Sequence, residues 1–120
     1  MSNRPRLRDI ISAACIVVGV EEKYILAPIR QGRYMRARHL ISYVAVKNGY
    51  AVLTVANTLG RDHSCVRCSI ERITAEIADG NQQTIDSINY IERRAGRLTD
   101  KFFGEMRSIA PSIGMGRARA

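Results

Sequence analysis

Apolar residues recur at helical spacing on both sides of Gly60. The apolar positions before this glycine are Val52, Val55, Ala56 and Leu59, and those after it are Val66, Ile70, Ile73 and Ile77. Intervals of three and four residues place each set on one face of an α-helix. Glycine accepts the left-handed backbone that ends a helix, and the side chain of Asp62 or Ser64 can cap the next one. The pattern predicts a helix-turn-helix between Val52 and Ile77.

The same periodicity predicts further helices on either side. An upstream helix from Ile10 to Val20 has an apolar face that ends at Gly19, and a central helix runs from Arg36 to Lys47. The inward positions of the central helix are Ala37, Leu40, Ile41 and Val44. After a break at residues 79–81, residues 82–94 resume helical spacing through Ile85, Ile88 and Ile91. We therefore expect an all-α fold, a small helical bundle with a helix-turn-helix and an added C-terminal helical segment.

Positive charge is concentrated in one part of the chain. The 120 residues include 19 Lys and Arg against 11 Asp and Glu, a net charge of +8, which favours polyanionic partners. Between Lys23 and Arg61 there is no acidic residue, and the bases in this interval include Arg30, Arg33, Arg36, Arg38 and Lys47. We expect residues 30–38 to form a basic loop along a phosphate backbone, with a merely solvated basic loop as the alternative.

The junction between the two helices resembles a known family. The sequence of residues 60–66, GRDHSCV, closely resembles the GRDHTTV signature in the C-terminal duplex-binding domain of DnaA, the bacterial chromosomal replication initiator. Upstream, Ile10 to Val20 resembles that domain's first helix, Tyr24 to Leu26 its short second helix, and Arg36 to Leu40 the start of its third. The resemblance covers residues 8 to 78, about two-thirds of the chain. It implies a domain that binds double-stranded DNA.

The resemblance also implies roles for individual residues. The family's base-contacting positions correspond to Leu53, Asp62, His63 and Ser64, with Arg30 in the minor groove. Its phosphate-contacting positions correspond to Arg38, His39, Val52, Cys65 and Arg72. From their charge and position, we also expect phosphate contacts from Arg33, Arg61 and Arg67. The side chains are suitable, since Asp62 can accept a hydrogen bond from cytosine and His63 can donate one to guanine.

Four departures from the family pattern affect the expected target sequence. A single glycine replaces the usual pair before Arg61, Leu53 replaces a proline, Cys65 replaces a threonine, and Gly32 stands where a basic residue is common. Because two of these lie at implied contact positions, we expect the preferred DNA site to differ from the DnaA box.

His63, Cys65 and Cys68 form an H-x-C-x-x-C group that must be weighed as a zinc site. Structural zinc requires four ligands, and the other candidates, Cys15 and His39, form no second knuckle. We therefore expect free thiols and no metal. The sequence contains no phosphate-binding loop or dinucleotide-binding pattern, and no nucleotide-hydrolysing module like that of DnaA. We expect neither catalysis nor a cofactor or nucleotide.

The chain divides into four expected segments. Residues 1–8 form a basic arm that either touches phosphate or is a solvated terminus, residues 9–78 the DnaA-like domain, residues 79–106 a helical extension, and residues 107–120 a flexible basic tail. Residues 82–106 are either a surface for a protein partner or self-association, or a packing strut. No apolar run reaches the length of a membrane span, and a signal peptide is not indicated. We expect a cytoplasmic, nucleoid-associated protein.

These observations lead to a functional expectation and its alternatives. The first expectation is a sequence-specific double-stranded DNA-binding protein that regulates transcription. The alternatives are a modulator of replication initiation at sites like the DnaA box, and a protein-interaction adaptor that retains only residual DNA binding.

Overall fold

The computed structural model describes the backbone of residues 4–119 and the side chains of residues 4–106. Five α-helices and one 3₁₀ helix account for this range, which contains no strand: α1 (Leu7–Val18), the 3₁₀ helix (Glu22–Tyr24), α2 (Gly32–Lys47), α3 (Val52–Leu59), α4 (His63–Ala78) and α5 (Gln82–Arg119). The expected all-α bundle with a helix-turn-helix and a C-terminal helical segment is confirmed. No helix within the described range combines the length and apolar character needed to cross a membrane.

Helix α2 lies at the centre of the bundle. It packs against α1, α3, α4 and α5, and its four expected inward residues are at most 1% exposed. The other helices add fully buried side chains around it, among them Ile10, Val55, Leu59, Val66, Ile73 and Ile91. These side chains form one continuous apolar core. The positions of α3 and α4 are therefore fixed by burial against α2.

The helix-turn-helix has the expected boundaries and a three-residue turn. Helix α3 ends at Leu59 and α4 begins at His63, and Gly60 between them has φ +65°. This left-handed conformation is available to glycine at little cost. Asp62 is the N-cap residue of α4. Its backbone carbonyl accepts hydrogen bonds from the amides of Cys65 (3.0 Å) and Val66 (3.3 Å). The predicted cap at Asp62 is wrong, since its carboxylate forms no capping hydrogen bond.

Helix α2 begins four residues earlier than the sequence suggested. It starts at Gly32, so Arg33 also lies on the helix, and Arg30 is the one arginine of the expected basic loop that precedes it. The reason is local: Arg, Met and Ala are good helix formers, and the amide of Met35 donates to the carbonyl of Gln31 at 3.1 Å. The arginines therefore point in different directions around the helix and differ in their surroundings.

Helix α5 is a packing element of the bundle. Its inward face is Thr84, Ile88, Ile91, Ala95 and Thr99, all at most 4% exposed. Polar contacts join it to α4 near its start and to α2 at Glu92. Near its start, Thr84 Oγ1 lies 2.5 Å from Glu76 of α4, and in the middle Glu92 accepts hydrogen bonds from Lys47 and Asn48, each at 3.1 Å. The packing-strut interpretation of residues 82–106 is thus supported.

The outer face of α5 is polar over most of the described range. Its exposed residues up to 101 are Gln82, Gln83, Asp86, Asn89, Arg93, Arg97, Asp100 and Lys101. Helix α5 continues to Arg119, although the sequence suggested a tail from residue 107. The side chains of residues 107–120 lie outside the described part, and mobility there stays a prediction.

The N-terminal segment from residue 4 is docked on the bundle. The guanidinium of Arg4 lies 4.0 Å from the ring centroid of Tyr50, whose hydroxyl donates to the carbonyl of Pro5 at 2.7 Å. The guanidinium of Arg6 lies 3.6 Å from the centre of the Phe102 ring and also pairs with Asp9 at 2.8 Å. Two of the three arginines of the expected basic arm are therefore engaged within the protein. Residues 1–3 lie outside the described range.

A buried polar cluster joins α1 to α5 and yields a stability prediction. Thr99 Oγ1 accepts from the amide of Arg6 and donates to Asp9, both at 2.8 Å, and Asp9 is only 6% exposed. We expect Thr99→Val to lower the free energy of unfolding by about 1–3 kcal/mol, because Asp9 stays buried, and the amide of Arg6 partly buried, without this hydroxyl. Urea unfolding followed by circular dichroism measures the change. Thr99→Ser keeps the hydroxyl and should cost less; equal losses for the two variants would contradict the role of this hydrogen-bonded cluster.

Candidate nucleic-acid interface

The structure brings seven of the predicted contact residues to one groove. The groove has a volume of about 580 Å³ and lies between the segment before α2, helix α2 itself, and α4. The predicted residues that line it are Arg30, Arg38, His39, Arg61, Ser64, Cys65 and Arg72. Its apolar floor includes Ile29, Leu59 and Val66. Residues distant in the sequence therefore share one surface feature beside the start of α4.

The charges on the groove are of one sign. Among residues 4–106, four arginines line it and no carboxylate does. The carboxylate that pairs with a lining arginine is Glu76, whose Oε2 lies 3.8 Å from Nε of Arg72, and Arg72 nevertheless remains 67% exposed. A concave surface with unbalanced positive charge attracts phosphate, and the low-dielectric floor strengthens this field.

Arg38 is buried and bonded to the segment before α2. It is 7% exposed, and its guanidinium donates to three backbone carbonyls, those of Ile25 (2.9 Å), Ala27 (2.7 Å) and Ile29 (2.8 Å). Burial, and then the charge of Arg61, lower the pKa of Arg38 from its ordinary value. Arg38 therefore holds the segment before α2 in place, and its charge contributes to the field of the groove. The predicted phosphate contact of Arg38 stays a prediction.

Arg61 connects the same segment to the helix-turn-helix. Its Nη2 donates to the carbonyl of Ala27 at 2.9 Å, so Arg61 and Arg38 share this acceptor. Its Nη1 donates to the carbonyl of Gly60 at 3.2 Å. The turn before α4 is thereby fixed against the segment that contains Arg30. The predicted phosphate contact of half-buried Arg61 stays a prediction.

The first turn of α4 presents polar side chains to solvent. Asp62, His63, Ser64 and Arg67 are exposed and form no side-chain hydrogen bond with the described part of the chain. Val66, on the opposite side of the helix, is 1% exposed. In helix-turn-helix proteins, this part of the second helix contacts base edges. The placement thus agrees with what base contact requires.

Two predicted contacts lie on α3, at some distance along the chain from α4. Leu53 is 62% exposed, which is unusual for a leucine, and Val52 is half-buried against the core. Both belong to the first turn of α3. Exposure leaves Leu53 available for an apolar contact, and Val52 has only its backbone amide as a donor for phosphate.

Of the arginines near the start of α2, only some are available to a ligand. Arg30 and Arg33 are exposed and form no ion pair or side-chain hydrogen bond with described residues. Arg36 instead pairs with Glu76 at 2.8 Å and donates to Thr84 at 2.7 Å. No sequence pattern indicated this pairing, because the carboxylate lies 40 residues away.

His39 is half-buried on the wall of the groove. Burial first, and then the charges of Arg72 and Arg36, lower the pKa of its imidazole from the ordinary value of 6.5. The free protein therefore holds His39 neutral at pH 7. A phosphate at this position would oppose the same arginine charges and favour the protonated imidazole.

Further groove residues were missed by the sequence analysis. Ser42 and Ser69 line the groove, and so does Cys68. Helical spacing was the signal that could have found them, since Ser42 follows Arg38 by four residues and Ser69 follows Cys65 by four. Cys65 and Cys68 are exposed free thiols. Within the described range, no three His, Cys, Asp or Glu side chains come together in a way that could hold a metal ion.

Comparison with known proteins adds no family assignment. No protein-family model and no curated protein sequence matches this chain.

The position of His39 yields a prediction about pH. If a phosphate lies in the groove, binding raises the pKa of His39 and the complex takes up a proton. Affinity for duplex DNA should then rise as the pH falls from 7.5 to 5.5, by up to about tenfold per pH unit. Fluorescence anisotropy with a random-sequence duplex at constant ionic strength measures this slope.

The chain has only two histidines, so each can be tested alone. We expect His39→Gln to make the pH dependence shallower, whereas His63→Gln should keep the part that comes from His39. A slope as steep in His39→Gln as in the unchanged protein would place the phosphate elsewhere.

Proposed function

We propose that this protein binds double-stranded DNA, with the first turn of α4 in the major groove. One observation supports this above all: the exposed, internally unbonded side chains at the start of α4 stand beside a groove whose charged residues are all arginines. The exposed side chains at the start of α4 do not contribute to the core, which lies on the other side of this helix. Exposed unpaired cations next to a helix terminus are suited to a phosphate backbone.

Each side chain has a role in this proposal. An α-helix with its side chains, about 10–12 Å wide, fits the major groove of B-DNA, about 12 Å wide. There, Asp62 accepts from a cytosine amino group, His63 donates to guanine, and Ser64 bonds to a base or contacts a thymine methyl. Leu53 supplies an apolar contact. These side chains would determine sequence preference.

Phosphate contacts would position the protein. Cys65, Arg67 and Arg72 lie on α4 on the groove side or beside it, while His39 and Arg61 approach from the groove, and Val52 offers its amide. Arg30, on the segment held by Arg38, would enter the neighbouring minor groove, with Arg33 nearby on α2. Narrow A·T-rich minor grooves have the negative potential that suits an inserted arginine.

We also propose that residues 9–78 are related to the C-terminal domain of DnaA. The order of the helices, the three-residue turn with its left-handed Gly60, and the GRDHSCV sequence support this relationship. The exposed Leu53 and Cys65 are the departures at implied contact positions, and they support a target that differs from the DnaA box.

Among biological roles, regulation of transcription has the most support. A small DNA-binding bundle can block or recruit polymerase without a nucleotide-hydrolysing module. The adaptor alternative has less support, because the apolar side of α5 is packed against the bundle and its described outer face is polar up to residue 101. Modulation of replication initiation remains the second candidate, supported by the likeness to the DnaA signature.

Selection of randomised duplexes by the purified protein at near-physiological salt tests the proposal. We expect a short motif to be enriched, and its location near promoters or within replication origins would separate the two roles. Retention without any enriched motif would leave only non-specific binding, and the absence of retention would overturn DNA binding.

Arg30 provides a test of the proposed electrostatic contacts with DNA. Replacing Arg30 by Ala should make the dependence of log K on log salt shallower by about one unit, because one counterion-releasing contact is lost. Arg93→Ala is the matched control, since Arg93 is exposed on the outer face of α5 and forms no ion pair with described residues. Equal slopes for the two variants would remove Arg30 from the interface.

His63 provides a test of base contact. We expect His63→Ala to cost roughly 1–3 kcal/mol on the selected site and little on random duplex, because a base contact distinguishes sequences and a phosphate contact does not. Competition binding with both duplexes measures the difference. The same loss on both duplexes would contradict a base contact by His63.

A further inference from the structure

Two of the three cysteines lie together on the exposed side of α4. Cys65 and Cys68 are three residues apart, both are exposed and free, and both line the arginine-rich groove. The zinc group considered from the sequence does not form, since no third ligand joins them within the described range. Neither thiol packs in the core, so packing does not explain this pair.

The helix places the pair close to disulfide distance. Residues three apart on an α-helix have Cα atoms about 5 Å apart, given its rise and radius, which is within the range of disulfides. Their Cβ atoms, however, are about 5–6 Å apart, whereas a disulfide requires about 3.5–4.5 Å. The bond can therefore form only if the backbone between Cys65 and Cys68 changes its conformation.

Cys15 provides a contrast within the same chain. It is 3% exposed in the core, and burial, followed by the charge of Glu22, raises the pKa of its thiol to about 11. The thiolate is the reactive form of cysteine, so Cys15 is protected both by burial and by protonation. Mild oxidation of thiols should thus be confined to the α4 pair.

We propose that Cys65 and Cys68 are a redox-sensitive pair, which hydrogen peroxide converts into an intrahelical disulfide that distorts the start of α4 and weakens DNA binding. The disulfide and the distortion follow from the placement of the pair alone. The effect on DNA rests on the proposed function.

The reaction is balanced with peroxide as the oxidant. One thiolate attacks an oxygen of hydrogen peroxide, an S–O bond forms, the O–O bond breaks, and the departing hydroxide takes up a proton to become water. The second thiolate attacks the resulting sulfenic acid, an S–S bond forms, and the S–O bond breaks with release of a second water. The pair loses two electrons, which reduce one peroxide. A dithiol reductant reverses the change.

The distortion affects the first turn of α4, which contains the proposed base contacts. The amides of Cys65 and Val66 donate to the Asp62 carbonyl, and these bonds hold the first turn of α4. Drawing Cys65 towards Cys68 disturbs this turn and with it the neighbouring His63 and Ser64. Cys65 is itself a proposed phosphate contact, and as a disulfide it no longer has its S–H donor. If the distortion removes one good base contact, the affinity for DNA falls roughly tenfold or more.

The test treats the full-length protein with an equimolar amount of hydrogen peroxide and records three quantities. Intact mass and peptide mapping report the bond, with an expected loss of about 2 Da and a linked Cys65–Cys68 peptide. Amide NMR spectra report α4, with shifts expected around residues 62–70. Affinity for the duplex retained by the selection should fall at least about tenfold and recover with dithiothreitol.

Cys68→Ser is the control, compared with itself before and after peroxide. It should gain no disulfide within the chain and should lose less affinity than the unchanged protein. Three results would each overturn the proposal. They are an unchanged mass, a disulfide between two chains, and a Cys65–Cys68 disulfide that leaves the α4 amide signals unshifted. If the reduced protein retains no duplex at all, DNA binding is overturned, whereas the mass and NMR results still decide whether the pair closes and moves α4.

Discussion

The carbonyl of Ala27 is the point on which the candidate interface depends. Arg38 from α2 and Arg61 from the turn before α4 both donate to it, at 2.7 and 2.9 Å, and Arg38 also holds the carbonyls of Ile25 and Ile29. A segment without regular structure thereby acquires a fixed position between two helices. Arg30 and the start of α4, which belong to distant parts of the sequence, are held in one relative arrangement.

The protein divides its arginines between internal and external contacts. Arg6 pairs with Asp9 of α1, which accepts a hydrogen bond from Thr99 of α5. Arg36 pairs with Glu76 of α4, which accepts a hydrogen bond from Thr84 of α5. Arg30, Arg33 and Arg67 have no such partner among the described residues. A carboxylate within reach distinguishes the first group from the second. Net charge alone therefore overstates the cationic surface that a polyanion meets.

The described part of helix α5 packs on the bundle away from the groove. None of its side chains up to residue 106 lines the groove, while its apolar face closes the opposite side of the core against α1. The added helix thus leaves the start of α4 and the segment before α2 accessible. An extension of this kind is compatible with a DNA-binding surface, because the two occupy different sides of the bundle.

The sequence by itself determined the helices, the Gly60 junction and the buried faces of α2, α3 and α4, because helical periodicity and a glycine with positive φ are local properties. The GRDHSCV motif at residues 60–66 also indicated which residues gather near the start of α4. Only the tertiary structure decided that Arg38 is a buried scaffold residue, that Arg36 is paired and Arg30 is not, and that α5 packs as a strut. These outcomes depend on carbonyls and carboxylates brought close by folding, and the spacing of residues along the chain contains no information about such encounters.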